Sequence, residues 1–304
     1  MSEFIITTHD LSKRYGSRKV VEKVNLEINK GDIYGFLGPN GAGKTTTIRM
    51  LLGLIKPSSG SVHMFEKNLK QEKMAILRKV GSLVEYPSYY GHLTAYENLE
   101  VIRRILEVPK SRIDEVLSIV RLTKDARRSV KGYSLGMKQR LGIAAALLGQ
   151  PELLILDEPT NGLDPSGILE IRELIKKMPQ EEGITVLVSS HLLSEVEQMA
   201  NRVGIIQEGN MLFQNSIEVL RQRAKSKIRM VVTEPEIALR TVAAVGCYAK
   251  LKESALIFEG ISDEKIARTI EALVNNQHDI YRVEEITTSL EDIFLELIGE
   301  GQSL

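Results

Sequence analysis

The sequence predicts an α/β fold: a mainly parallel sheet with a preceding antiparallel β subdomain, an inserted helical subdomain and a small α+β domain at the C-terminal end. Three short apolar runs, IYGFL (33–37), LLIL (153–156) and ITVLV (184–188), lack alternation, as strands covered on both faces do. Each run ends at polar or glycine-rich residues: GPNGAGKTT, Asp157-Glu158 and Ser189-Ser190-His191. In open α/β sheets ligands sit beyond the carboxyl ends of the strands, so three distant stretches converge on one crevice.

The remaining elements follow in chain order. Val24, Leu26 and Ile28 alternate with Asn25, Glu27 and Asn29, which describes an antiparallel strand with one wet face that NKGD (29–32) turns back. Between Gly81 and Gln150 apolar positions such as Val101, Ile105, Val116 and Ile119 suggest helices and no buried strand. This stretch is expected to be a helical subdomain over about residues 86–150. VGIIQEGNMLFQ (203–214) reads as a hairpin. A charged connector, RQRAKSKIR, then leads into strand, helix, strand, strand, helix, strand and helix, the β-α-β-β-α-β order of a ferredoxin-like unit with one helix added. Domains are expected at 1–219 and 220–304.

Composition limits the functional classes. The chain has 304 residues, and its 40 basic and 40 acidic residues give no electrostatic reason to expect nucleic acid. A single cysteine, Cys247, excludes an internal disulfide, and MSEFIITTHDLSKRYG lacks the apolar core of a secretion signal. A cytoplasmic chain is expected. The run LGIAAALLG (141–149) is about half the ~18 residues that a membrane-spanning helix needs.

GPNGAGKT (38–45) fits G-x-x-x-x-G-K-[ST] between an apolar strand and a helical TTTIRMLLGLI. Gly38, Gly41 and Gly43, with Pro39, Asn40 and Ala42 between them, let backbone N–H groups turn toward a phosphate, and the helix starting here adds its positive end. Lys44 is expected to reach the β- and γ-phosphates of a nucleoside triphosphate, Thr45 to hold Mg²⁺, and Thr46 to complete the loop. The fold class is thus that of a P-loop NTPase. Asp157 is suited to hold Mg²⁺ directly or through water, and Glu158 to act as general base or to position the attacking water. His191 could donate to the γ-phosphate and sense its presence. In YSLGMKQRLGIAAALLGQP (133–151), Ser134 is a natural N-cap, and with Gly136 it makes a second anion site, remote in sequence from the first. Two cradles make sense if the second grips a nucleotide held by another subunit.

With these motifs in order, the chain resembles the ATP-binding subunits of ABC transporters over about residues 4–214: GPNGAGKT, a segment at 81–99, YSLGMKQ, LLILDEP, NGLD and SSH. The resemblance implies an adenine-stacking role for Tyr15 and a role for Asp164 in communication across a dimer. It also implies a head-to-tail homodimer in which each ATP lies between one copy's phosphate loop and the other's Ser134 and Gly136. A separate integral-membrane permease is implied, docking near residues 85–97, where Tyr86, Pro87, Tyr89 and Tyr90 form an aromatic-rich loop; the alternative for these rings is local packing. The chain would then be peripheral on the inner face of the membrane.

Two departures stand out. The signature reads Ser134-Leu135-Gly136-Met137 where the family usually has serine, glycine, glycine, glutamine. Glu85 replaces the glutamine that reaches Mg²⁺ and the attacking water, and a carboxylate is a harder ligand for that cation. With YSLGMKQRLGIA, Glu85 resembles the bacitracin-resistance and lantibiotic-immunity branch of exporters. Export of a drug, ion or lipid, and a soluble non-transport ATPase, are the alternatives. In the C-terminal segment, His278 and Cys247 are expected to be structural, and the domain either stabilises the chain or serves as a dimer contact or sensor.

Overall fold

A computed structural model describes residues 4–84, 89–222, 226–287 and 290–300. It divides into two compact units, one running to Ile217 and the other spanning Glu218–Glu300.

Among the described residues of the first unit, six strands form the central sheet in the order Asn210–Ser216, Arg202–Gln207, Ile33–Leu37, Thr185–Ser190, Leu153–Asp157, Val80–Leu83. Neighbours are parallel except for the first pair, which is the expected hairpin. Both faces are dry. Leu153 and Ile155 enter a core with Phe36, Leu187 and Ile206, while Leu154 and Leu156 enter another with Val186, Val188 and Leu99. Each buried Leu or Ile contributes about 1.5–3 kcal/mol. That two-sided burial explains the unbroken apolar runs.

Val80–Leu83 corrects the expectation that no sheet strand lies in the 81–150 stretch. The run is short and carries Gly81 and Ser82. A Cβ at Gly81 would lie 2.3 Å from the Ala146 carbonyl oxygen, so the helix Leu135–Leu147 rests on the strand's backbone and only glycine fits. A similar approach occurs at Gly35, where a Cβ would meet Val196 Cγ1 at 2.2 Å, seating the helix Leu193–Glu197 on the strand Ile33–Leu37.

The antiparallel sheet is centred on Phe4–Tyr15, which pairs with Arg18–Val24, Glu27–Asn29 and Ser59–Met64. Val24, Leu26 and Ile28 are buried as the alternation indicated. Helices Ala95–Leu106, Ser111–Ile119 and Leu135–Leu147 make up the helical part. The first opens with a capping box between Thr94 and Glu97 and buries Ala95, Asn98 and Leu99. Val101 and Ile105, which indicated a helix, lie on it and are 39% and 75% exposed, because the face carrying Ala95, Asn98 and Leu99 is the buried one. Val116 is buried and Ile119 partly so.

In the second unit, Lys250–Lys252, Ala255–Glu259, Ser226–Val232 and Ile280–Thr287 form an antiparallel sheet in that order, the split βαβ arrangement expected. Helices Pro235–Ala244 and Asp263–Asn275 cover a core containing Met230, Val242, Phe258 and Leu273. Cys247 and His278 are buried here; His278 Nδ1 lies 3.2 Å from the Thr233 carbonyl oxygen. No helix among the described residues is long and apolar enough to cross a membrane.

Candidate active site

The strand Ile33–Leu37 ends in the glycine loop, which is wedged between two strands. A Cβ at Gly38 would lie 2.2 Å from the Ile206 carbonyl oxygen, and one at Gly43 would lie 2.7 Å from that of Val20. Gly43 also has φ 109°, a left-handed value that favours glycine, and it is the N-cap of the helix Lys44–Leu51. It offers no side chain to that helix, so the first-turn N–H groups remain for a ligand. Asn40, Gly41, Gly43, Lys44, Thr45, Thr46 and Glu158 line an open pocket of about 310 Å³.

Lys44 is buried, and its ammonium donates to the carbonyls of Gly38 and Pro39 at 2.7 and 3.3 Å. It also pairs with Glu158 Oε1 at 3.2 Å, while Glu158 Oε2 is 2.8 Å from His191 Nδ1. The structure thus joins three sequence-predicted residues, from three strand ends, through one carboxylate. Glu158 sits at φ 49°, an uncommon value for a residue with a side chain, and it is held there by its neighbours. Ser189 Oγ accepts the Glu158 N–H at 2.9 Å and donates to Asp157 Oδ1 at 2.6 Å.

That bond leaves the second carboxylate oxygen of Asp157 for a ligand. Among the described residues no three His, Cys, Asp or Glu side chains cluster as a metal cage. Thr45 and Asp157 nonetheless fit Mg²⁺, which takes one or two protein oxygens and completes its shell with phosphate and water. Glu85, expected as a third ligand, lies outside the described residues, as do Tyr86 and Pro87.

Ser134 and Gly136 do not line this pocket. Ser134 caps the helix Leu135–Leu147 by accepting the Met137 N–H at 3.2 Å. Leu135 turns toward Gly162, where a Cβ would be 3.4 Å from Leu135 Cδ2. Asp164 caps the helix Pro165–Glu181 by accepting the Gly167 N–H at 3.2 Å. Gln139 ties the two regions, donating from Nε2 to the Pro159 carbonyl at 3.1 Å.

Tyr15 is 51% exposed, which excludes a buried core ring, and Lys13 Nζ lies 5.0 Å from its centroid. It pairs across a tight turn with Arg18, which lines the pocket although no motif singled it out; the YGSR turn was the available signal. Tyr89 donates to the Lys138 carbonyl at 2.7 Å, and burial pushes its phenol well above the ordinary range. Tyr90 is 57% exposed and sits edge-on to His92, with its backbone held by the buried Asn98.

The chain is similar to known proteins over most of its length. The ABC transporter family profile matches residues 21–161. The bacitracin transport ATP-binding protein BcrA of Bacillus licheniformis is 46% identical over 302 residues, 98% of each chain. The lantibiotic transport ATP-binding protein SrtF of Streptococcus pyogenes is 46% identical over 214 residues, 70% of this chain and 92% of that one. Among solved structures, a dimeric post-hydrolysis ATP-binding cassette, MJ0796 bound to ADP and Pi, matches with a TM-score of 0.62 at 26% identity, covering 70% of this chain and 98% of that one.

Proposed function

Because this chain belongs to the ATP-binding subunits of ABC transporters and is an ATP hydrolase of that family, we propose that it powers export of a bacitracin- or lantibiotic-like peptide through a separate membrane permease. The observation that carries the catalytic part is the Lys44–Glu158–His191 cluster at the ends of three strands. The cargo rests on full-length likeness to BcrA, with SrtF in support.

In this reading the triphosphate of ATP lies on the loop Gly38–Thr46 with adenine against Tyr15. Its γ-phosphate takes over Lys44, which frees the Glu158 carboxylate from its ion pair. Glu158 then accepts the proton of a water attacking the γ-phosphorus, the bond to the β–γ bridging oxygen breaks, and ADP and Pi leave. His191 donates to the γ-phosphate. Thr45 and Asp157 would hold Mg²⁺, which would neutralise phosphate charge when bound. Two copies associate head to tail, each placing Ser134 and Gly136 on the other's nucleotide, and the permease holds the pair at the inner face of the membrane.

Glu158→Gln tests the chemistry. Binding of ATP is expected to persist while kcat falls by about 10³ and closed dimers accumulate on a sizing column. Near-normal turnover would move the base elsewhere. Cells expressing the chain with its permease are expected to survive more bacitracin, and Glu158→Gln to abolish the gain; protection against an unrelated drug or ion alone would reassign the load.

A further inference from the structure

The His191–Glu158 bond has no other direct support at the imidazole: among the described residues, His191 makes no second side-chain hydrogen bond. Its geometry must therefore come from the two turns that carry the partners. One is Glu158-Pro159-Thr160, after the strand Leu153–Asp157; the other is Ser190-His191-Leu192, after Thr185–Ser190.

A single oxygen fastens both turns. Glu195 Oε2 accepts the Thr160 hydroxyl at 2.6 Å and the Ser190 hydroxyl at 3.0 Å. Thr160 and Ser190 are 4% and 1% exposed, so neither hydroxyl has water as an easy substitute. Ser190 Oγ in turn accepts the Leu192 N–H at 3.1 Å, closing a small turn around His191. A hydroxyl has one proton, and committing it to Glu195 points a lone pair at that N–H. Thr160 also begins the stretch leading to Asp164, beside which Leu135 packs on Gly162.

We propose that Glu195 is a positioning residue for hydrolysis: it sets the separation of His191 and Glu158 and links that separation to the Thr160–Asp164 loop. It acts through the two hydroxyls. Ground-state ATP binding, carried by the glycine loop and Lys44, does not depend on it. Its removal lowers kcat and leaves KM for ATP in place. The inference rests on the catalytic reading of Glu158 and His191.

The test is steady-state ATPase of the full chain with its permease. Glu195→Ala is expected to lower kcat about tenfold or more with KM within about twofold, and Thr160→Val to lose part of the same amount. Glu195→Gln keeps an oxygen able to accept both hydroxyls and is expected to recover most of the rate. In a His191→Ala background, Glu195→Ala is expected to cost little further, because the geometry it maintains is already gone. An unchanged kcat in Glu195→Ala, a Gln variant as slow as the Ala variant, or an additive loss on His191→Ala would overturn the proposal. Should the Ala variant not fold, Thr160→Val and Glu195→Gln answer alone: loss in the first with recovery in the second supports it, and the reverse overturns it. Normal turnover in Glu158→Gln would instead remove the catalytic reading beneath it.

Discussion

Two helix N-termini in this chain, both read from the sequence as anion sites, carry different equipment. The helix Lys44–Leu51 starts at Gly43, which offers no side chain, and so leaves its first-turn amides for a ligand. The helix Leu135–Leu147 starts at Ser134, whose oxygen already accepts the Met137 N–H. The first has open amides with a buried lysine beside them. The second is self-capped, and its serine keeps only an O–H to donate. Under the proposed function, the difference assigns tight binding to one end and completion of the closed site to the other.

Lys44→Ala should break the comparison most severely. Removing the buried cation is expected to weaken ATP binding by about 100-fold, measured by calorimetry; a loss below about threefold would mean that the bare helix end suffices. Gly43→Ala comes next, since its new Cβ meets the Val20 carbonyl oxygen at 2.7 Å with φ at 109°. A loss of about 30-fold in affinity and a lower Tm are expected. Ser134→Ala sharpens the division: ATP affinity of the isolated protomer is expected to hold while turnover falls about tenfold, with about 1 kcal/mol of helix stability lost in urea melts. If its affinity falls as in Lys44→Ala, the two ends share one task. Tyr15→Ala is the mildest, raising KM about fivefold, with Tyr15→Phe close to the parent.

The sequence displayed the sheet wherever burial on both faces forced an unbroken apolar run, as in LLIL and ITVLV. It hid Val80–Leu83 because the residue that obscures the strand, Gly81, is demanded by a helix from sixty residues further along the chain lying on its backbone. Val101 and Ile105 signalled the helix that is found there, yet both are exposed: apolar spacing reports a helix, whereas the face that is buried is decided by what lies opposite. At the candidate site, the meeting of Lys44, Asp157, Glu158 and His191 was legible because each follows a buried apolar run at the same edge of a parallel sheet. Ser189, Thr160 and Glu195 were not, since a hydroxyl or carboxylate that aligns a neighbour acquires its value only when two strands come side by side. Arg18 likewise gains its place from a turn.

The contact of Val196 with Gly35 has a mechanical corollary. The short helix beyond His191 rests on bare backbone of the strand that leads into the glycine loop, like a keystone set directly on its arch. Helix and strand must therefore loosen together, and amide hydrogens at 33–37 and 193–197 should exchange with one shared protection.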